Sequence, residues 1–143
     1  MKLFFDTDGL PSVFDRGDDG HSVFSDFWNA LFRERNYHPA ISGYIVDELT
    51  TRIRYDISHA AALQALNNLT QLVGRGRLTF KWVNQTYFDQ ARRIFERYYD
   101  QEFSFTDCTS FAICHDAGIQ EAFALDRDFR IFGLNVMPAQ NGS

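Results

Sequence analysis

No stretch of this chain is apolar for the ~18 residues a membrane-spanning helix needs. The opening MKLFFDTDG turns acidic too soon for a secretory signal. Cysteine is nearly absent. Cys108 and Cys114 are the only two, six positions apart in one expected helix, where they project from roughly opposite faces and do not pair. A reducing, cytoplasmic compartment is the expectation. Lysine is as scarce, with Lys2 and Lys81 alone, and the 14 basic residues are outnumbered by 19 acidic ones, a net charge of −5. That excludes binding of nucleic acid through overall basicity. It leaves room for a nuclease whose clustered carboxylates hold metal ions. His21, His38, His59 and His115 show no ligand spacing with the cysteines, so zinc is not indicated. Repeats, low-complexity tracts and linkers are lacking too. Residues 1–143 are therefore expected to form one domain, with a loose tail at 138–143.

What the chain has in quantity is aromatic rings: 15 Phe, 6 Tyr and 2 Trp, enough for a ring-rich core or interface. Short apolar runs alternate with amphipathic ones. Lys2 to Phe5 reads as a buried strand, and Gly9, Pro11 and the run from Asp15 to Gly20 mark a turn-rich, acidic loop. From Ser22 to Arg35, Phe24, Phe27, Trp28, Leu31 and Phe32 fall at helical spacing. His38 to Ser42 is a second strand. Helices follow at Tyr44–Tyr55, with Ile45, Leu49 and Ile53 in one stripe, and at Ile57–Val73, which stops at Gly74 and Gly76. Leu78 to Val83 is a strand, and Thr86 to Tyr99 a helix. The stretch from Ser104 to Phe129 combines a helix capped by Ser104 or Thr106, carrying Asp107, with a strand through Ala122–Leu125 ending in Asp126-Arg127-Asp128. Leu134 to Met137 is a last strand. Strands alternating with helices predict a parallel α/β sheet.

In such a sheet, sites form at the carboxyl ends of strands and the adjoining helix starts. Asp6 and Asp126 end strands, Asp107 begins a helix, and Glu48 lies in the first turns of another, four residues before Arg52. Each has an ordinary reading: helix-dipole charge for Asp107, an i, i+4 partner of Arg52 for Glu48, a turn residue for Asp126 or Asp128. Asp6 is harder to explain that way, because it directly ends the apolar run Leu3-Phe4-Phe5. Carboxylates gathered without lysine repel one another. A hard divalent ion, Mg²⁺ or Mn²⁺, removes that cost and can activate water for attack at phosphorus. Metal-assisted phosphodiester hydrolysis is the chemistry this set suggests.

The blocks FFDTDGL, IVDEL, SFTDCTSFAI and AFALDRDFRIFGLNVMP together resemble the PIN-domain nucleases, and among them the VapC-type toxins of bacterial toxin–antitoxin systems. The likeness spans nearly the whole chain and implies a three-layer α/β/α fold with a small central parallel sheet. It also implies an acidic Mg²⁺/Mn²⁺ site for cleaving single-stranded RNA, with acidic ligands at Asp6, Glu48, Asp107 and Asp126. A homodimer, an antitoxin partner and a cytoplasmic location are implied as well. Asp8 stands where the family often has Ser, Thr or Asn, and Asp128 where His is common, so both are further candidate ligands. The face from Phe24 to Phe32 is a candidate lining for the antitoxin groove or a dimer contact. Asp6-Thr7-Asp8-Gly9-Leu10 also resembles the opening of haloacid-dehalogenase-like phosphatases, in which the first Asp attacks phosphorus. Their phosphate-binding Lys and Gly-Asp-led acidic pair are not evident. A PIN-like module that only binds RNA or protein is the third reading.

Overall fold

β1 (Lys2–Phe5) is the middle strand of a five-stranded sheet in which every neighbouring pair is parallel. The computed structural model describes residues 1–10, 21–34, 36–125 and 127–138, with backbone only at 9 and 21–24. Asp126, Arg35, the loop at 11–20 and the tail at 139–143 lie outside these, so the expectations for that loop and for most of the tail do too.

The other strands are β2 (His38–Ser42), β3 (Thr79–Lys81), β4 (Glu121–Phe123) and β5 (Asn135–Met137). Their order across the sheet is β3-β2-β1-β4-β5. The chain builds outward from β1 in one direction through β2 and β3, then returns to build outward through β4 and β5. The order thus reverses between β1 and β4, the kind of position where α/β sheets place their sites. Leu3, Phe4, Phe5, Ala122 and Phe123 are completely buried, as central strands covered on both faces require.

Six helices flank the sheet among the described residues: α1 (His21–Arg33), α2 (Gly43–Asp56), α3 (His59–Gly74), α4 (Gln85–Arg97), α5 (Phe105–Ala117) and α6 (Asp128–Phe132). The last is too short to show a periodicity and was not expected from sequence. The expected aromatic face of α1 turns onto the sheet. Trp28 stacks on Phe5 and Phe27 on Phe123, with ring centroids 5.1 and 5.4 Å apart, and Leu31 is buried. These rings pack against the core while Phe27, Trp28 and Phe32 stay only half-buried; the side chain of Phe24 is outside the described residues. A second aromatic cluster joins α5 and α6, where Phe111 stacks on Phe132 at 4.4 Å and meets Phe129 edge-on at 5.0 Å.

α2 buries the expected stripe of Ile45, Leu49 and Ile53 and is capped by Ser42, whose hydroxyl accepts from the Ile45 N–H. α3 starts at the Ser58 cap, and past its end Gly76 takes a left-handed φ of 71°. No described helix is long and apolar enough to cross a membrane.

Candidate active site

Strand register puts the site in order. Pairing aligns Phe4 with Ala40 and Ala122, and Ala40 with Thr79. Ser42 and Lys81 pair at the ends of β2 and β3, and Asp6 and Ala124 directly follow β1 and β4, all at the carboxyl edge of the sheet. Asp6 is anchored there by its backbone N–H, which donates to the Phe123 carbonyl at 3.0 Å and ties the ends of β1 and β4 together. Its side chain is buried, only 3% exposed.

This burial pushes the Asp6 carboxyl well above the usual carboxylate range, and the negative charges of Asp8 and Asp107 push it further the same way. Backbone N–H groups of Thr7 and Asp8 oppose the shift. Asp8 and Asp107 therefore both lie within electrostatic reach of Asp6. The Asp8 N–H donates to Asp6 Oδ2 across a long 3.4 Å, which starts the single 3₁₀ turn at Thr7–Gly9.

Asp107 is placed by its own helix. Ser104 is the cap of α5, as one of the two expected candidates. Ser104 Oγ accepts from the Asp107 N–H at 3.0 Å, and Asp107 Oδ2 accepts from the Ser104 N–H at 3.1 Å, a reciprocal capping box. One carboxylate oxygen is thereby committed to holding the helix start.

Glu48 is exposed on α2 and does not pair with Arg52, which corrects the expected i, i+4 bridge. Arg52 instead reaches Asp8 at 3.3 Å and Asp56 at 3.7 Å. What links Glu48 to the site is Thr7, whose buried hydroxyl donates to Glu48 Oε2 at 3.1 Å. Thr7 is the residue that sequence reasoning missed, and its only signal was its place between two aspartates. Asp128 opens α6 and is half-buried. Asp126 lies outside the described residues.

Among the described residues, no three His, Cys, Asp or Glu side chains stand close enough together to hold a metal ion. The chemistry of the donors nonetheless suits a hard cation. They are all oxygen, and among the described residues no basic side chain forms an ion pair with the buried Asp6. Ser110 Oγ, one turn along α5 from Asp107, is also buried without a hydrogen-bond partner. Thiolate chemistry is disfavoured. Burial, then the charge of Asp107, pushes Cys108 up to about 11, and burial with Asp6 raises Cys114 further.

No protein-family model matches the chain. It is 29% identical over 134 residues to the 23S rRNA-specific endonuclease VapC20 of Mycobacterium tuberculosis, covering 92% of this chain and 95% of that protein. The crystal structure of that VapC20, described as a Sarcin-Ricin loop cleaving toxin, superposes with a TM-score of 0.80 at 26% identity, over 92% of this chain and 95% of the other. VapBC2 from Rickettsia felis, solved with a promoter DNA fragment, gives a TM-score of 0.66 at 14% identity over 95% and 97% of the two chains. DNA-bound VapBC from Salmonella typhimurium gives 0.62 at 14% identity, over 95% of this chain and 96% of that one. The last two likenesses concern the fold alone.

Proposed function

We propose that this chain, which resembles the VapC-type PIN-domain toxins along nearly its whole length in sequence and in fold, is a divalent-metal-dependent endoribonuclease and the toxin of a type II toxin–antitoxin pair. The observation that carries the reading is Asp6: a buried carboxylate at the reversal point of a parallel sheet, with Asp8 and Asp107 raising the cost of its charge. A buried carboxylate near other acids is destabilising by itself and becomes favourable with a cation beside it.

Asp6, Asp107, Asp126 and Glu48 are the residues that would hold Mg²⁺ or Mn²⁺, with Asp8 and Asp128 as further candidates. When bound, such an ion supplies a water of lowered pKa and stabilises charge on phosphorus during in-line attack. The chain's own contribution is placement. β1 delivers Asp6, the capping box fixes the rotamer of Asp107, and Thr7 orients Glu48. The substrate is single-stranded RNA, and the 23S rRNA cleaved by the similar VapC20 is the first target to test. The partner is an antitoxin that covers this acidic edge, and the toxin acts as a homodimer in the cytoplasm.

The phosphatase reading asks Asp8 to serve as an acid/base beside a nucleophilic Asp6. Arg52 reaches Asp8 in an ion pair at 3.3 Å instead. The test is cleavage of single-stranded RNA in Mg²⁺ or Mn²⁺. Loss of cleavage in Asp6→Asn and in Asp107→Asn, with the fold retained, is expected. Cleavage at the wild-type rate by both variants overturns the site, phosphate release from an aryl phosphate with trapping at Asp6 favours the phosphatase, and RNA binding in EDTA without any cutting favours a binding module.

A further inference from the structure

Trp82 is 75% exposed, yet it is not a loose surface ring. It follows directly after Lys81, the last residue of β3, and so stands at the same edge of the sheet as Asp6. Its indole meets the Phe80 ring at 4.8 Å, nearly edge to face. Indole atoms Cε3 and Cζ3 lie 3.7 and 3.8 Å from the point where a Cβ on Gly43 would be. Gly43 is the first residue of α2, so the ring lies over the start of that helix. The backbone is held as well. The Trp82 carbonyl accepts from the Asn84 N–H at 3.1 Å, and the Asn84 side chain caps α4. A large aromatic surface that is fixed from behind and open in front has been organised for something outside the chain.

The register says how far this ring stands from the acidic centre. Lys81 pairs with Ser42 at the end of β2, and Asp6 directly follows β1 on the other side of β2. Strands are spaced about 4.8 Å apart, so β3 lies ~10 Å from β1, with Trp82 one residue beyond its end. That is a span of one to two nucleotides in an extended strand. Lys81, one of only two lysines in a chain of net charge −5, immediately precedes the ring in the chain.

We propose that Trp82 is a stacking platform for a nucleobase of the RNA substrate, one to two nucleotides from the scissile phosphate. This rests on the ribonuclease reading above and deepens it. Single-stranded RNA is held by stacking on exposed aromatic rings at about 1–3 kcal/mol per base, with little dependence on which base it is. An acidic protein that cannot rely on overall charge gains a foothold on its substrate this way.

The test pairs kinetics with fluorescence. Trp82→Ala should raise KM for single-stranded RNA about 5- to 150-fold with kcat largely retained, and Trp82→Phe should restore most of the loss. A non-cleavable 2′-O-methyl RNA oligomer should quench the wild-type indole emission, and the quenching should disappear in Trp82→Phe, which keeps Trp28. An unchanged KM in Trp82→Ala overturns the stacking site, as does quenching that persists in Trp82→Phe. Dissociation of a dimer by Trp82→Ala at unchanged KM overturns it too, in favour of a protein contact. A wild-type chain that cleaves no RNA removes the ribonuclease reading itself, so the two failures are distinguishable.

Discussion

The Thr7 hydroxyl donates to Glu48 across 3.1 Å, so the residue after the buried Asp6 governs the carboxylate of a different helix. Thr7 is itself buried, whereas Glu48 is exposed and would otherwise be free to sample several rotamers. Replacing Thr7 by Val keeps the shape and removes the donor. RNA cleavage should fall by ~10- to 100-fold, the usual effect of losing a partner that orients a metal ligand. Stability should change by only about 0.5–1.5 kcal/mol. A Thr7→Val chain of full activity would separate Glu48 from the reaction.

Asp6 sets the sign of a pH effect on the metal-free protein. Its folded-state pKa is raised by burial and then by Asp8 and Asp107, so the folded state holds this proton to higher pH than the unfolded chain does. The resulting contribution to stability is lost as pH rises from the unfolded value through the folded one, with a slope of at most ~1.4 kcal/mol per pH unit for one proton. Asp6→Asn removes the titrating charge. In EDTA it should melt above the wild type at neutral pH and show a flatter dependence of Tm on pH, while cleaving no RNA. A lower Tm for Asp6→Asn at pH 7 would contradict the burial of an unfavourable charge.

Metal should reverse that penalty. Mg²⁺ or Mn²⁺ at a hundred times its Kd should stabilise the wild type by ~2.7 kcal/mol, through binding to the folded state alone. The gain should be reduced or lost in Asp6→Asn and Asp107→Asn. Thermal melts with and without EDTA read this independently of any RNA assay, and a gain of equal size in all three proteins would place the ion elsewhere.

Ser104 offers a way to separate fold from chemistry at Asp107. Ser104→Ala deletes the cap of α5 and should cost about 1 kcal/mol, read by denaturant melts. Asp107→Asn, by contrast, keeps an oxygen that can accept from the Ser104 N–H, so the capping box survives while the charge goes. Its stability should stay close to the wild type or rise, and cleavage should be lost. A large loss of stability in Asp107→Asn would mean that its charge serves the helix more than the site.

Local pattern alone settled a good deal here. The run Leu3-Phe4-Phe5 is apolar enough to be read as a buried strand. The stripe Ile45, Leu49, Ile53 has helical spacing, and Ser104 with Asp107 has the spacing of a capping box. These depend on residues a few positions apart, whose geometry is nearly the same in any protein. Asp6 stood out because a charged residue directly ending an apolar strand has little structural use. The order that sets β3, β2 and β1 side by side had no such signature, because strand order and register arise from which faces pack best after the whole chain has folded. The same holds for Arg52, which spacing assigned to Glu48 and packing brought to Asp8, and for the rings of α1, which periodicity showed to share a face without saying what that face would meet. Sequence determined which carboxylates and rings were available, through short-range propensity and pattern; tertiary structure decided which of them stand together, through contacts between residues dozens of positions apart.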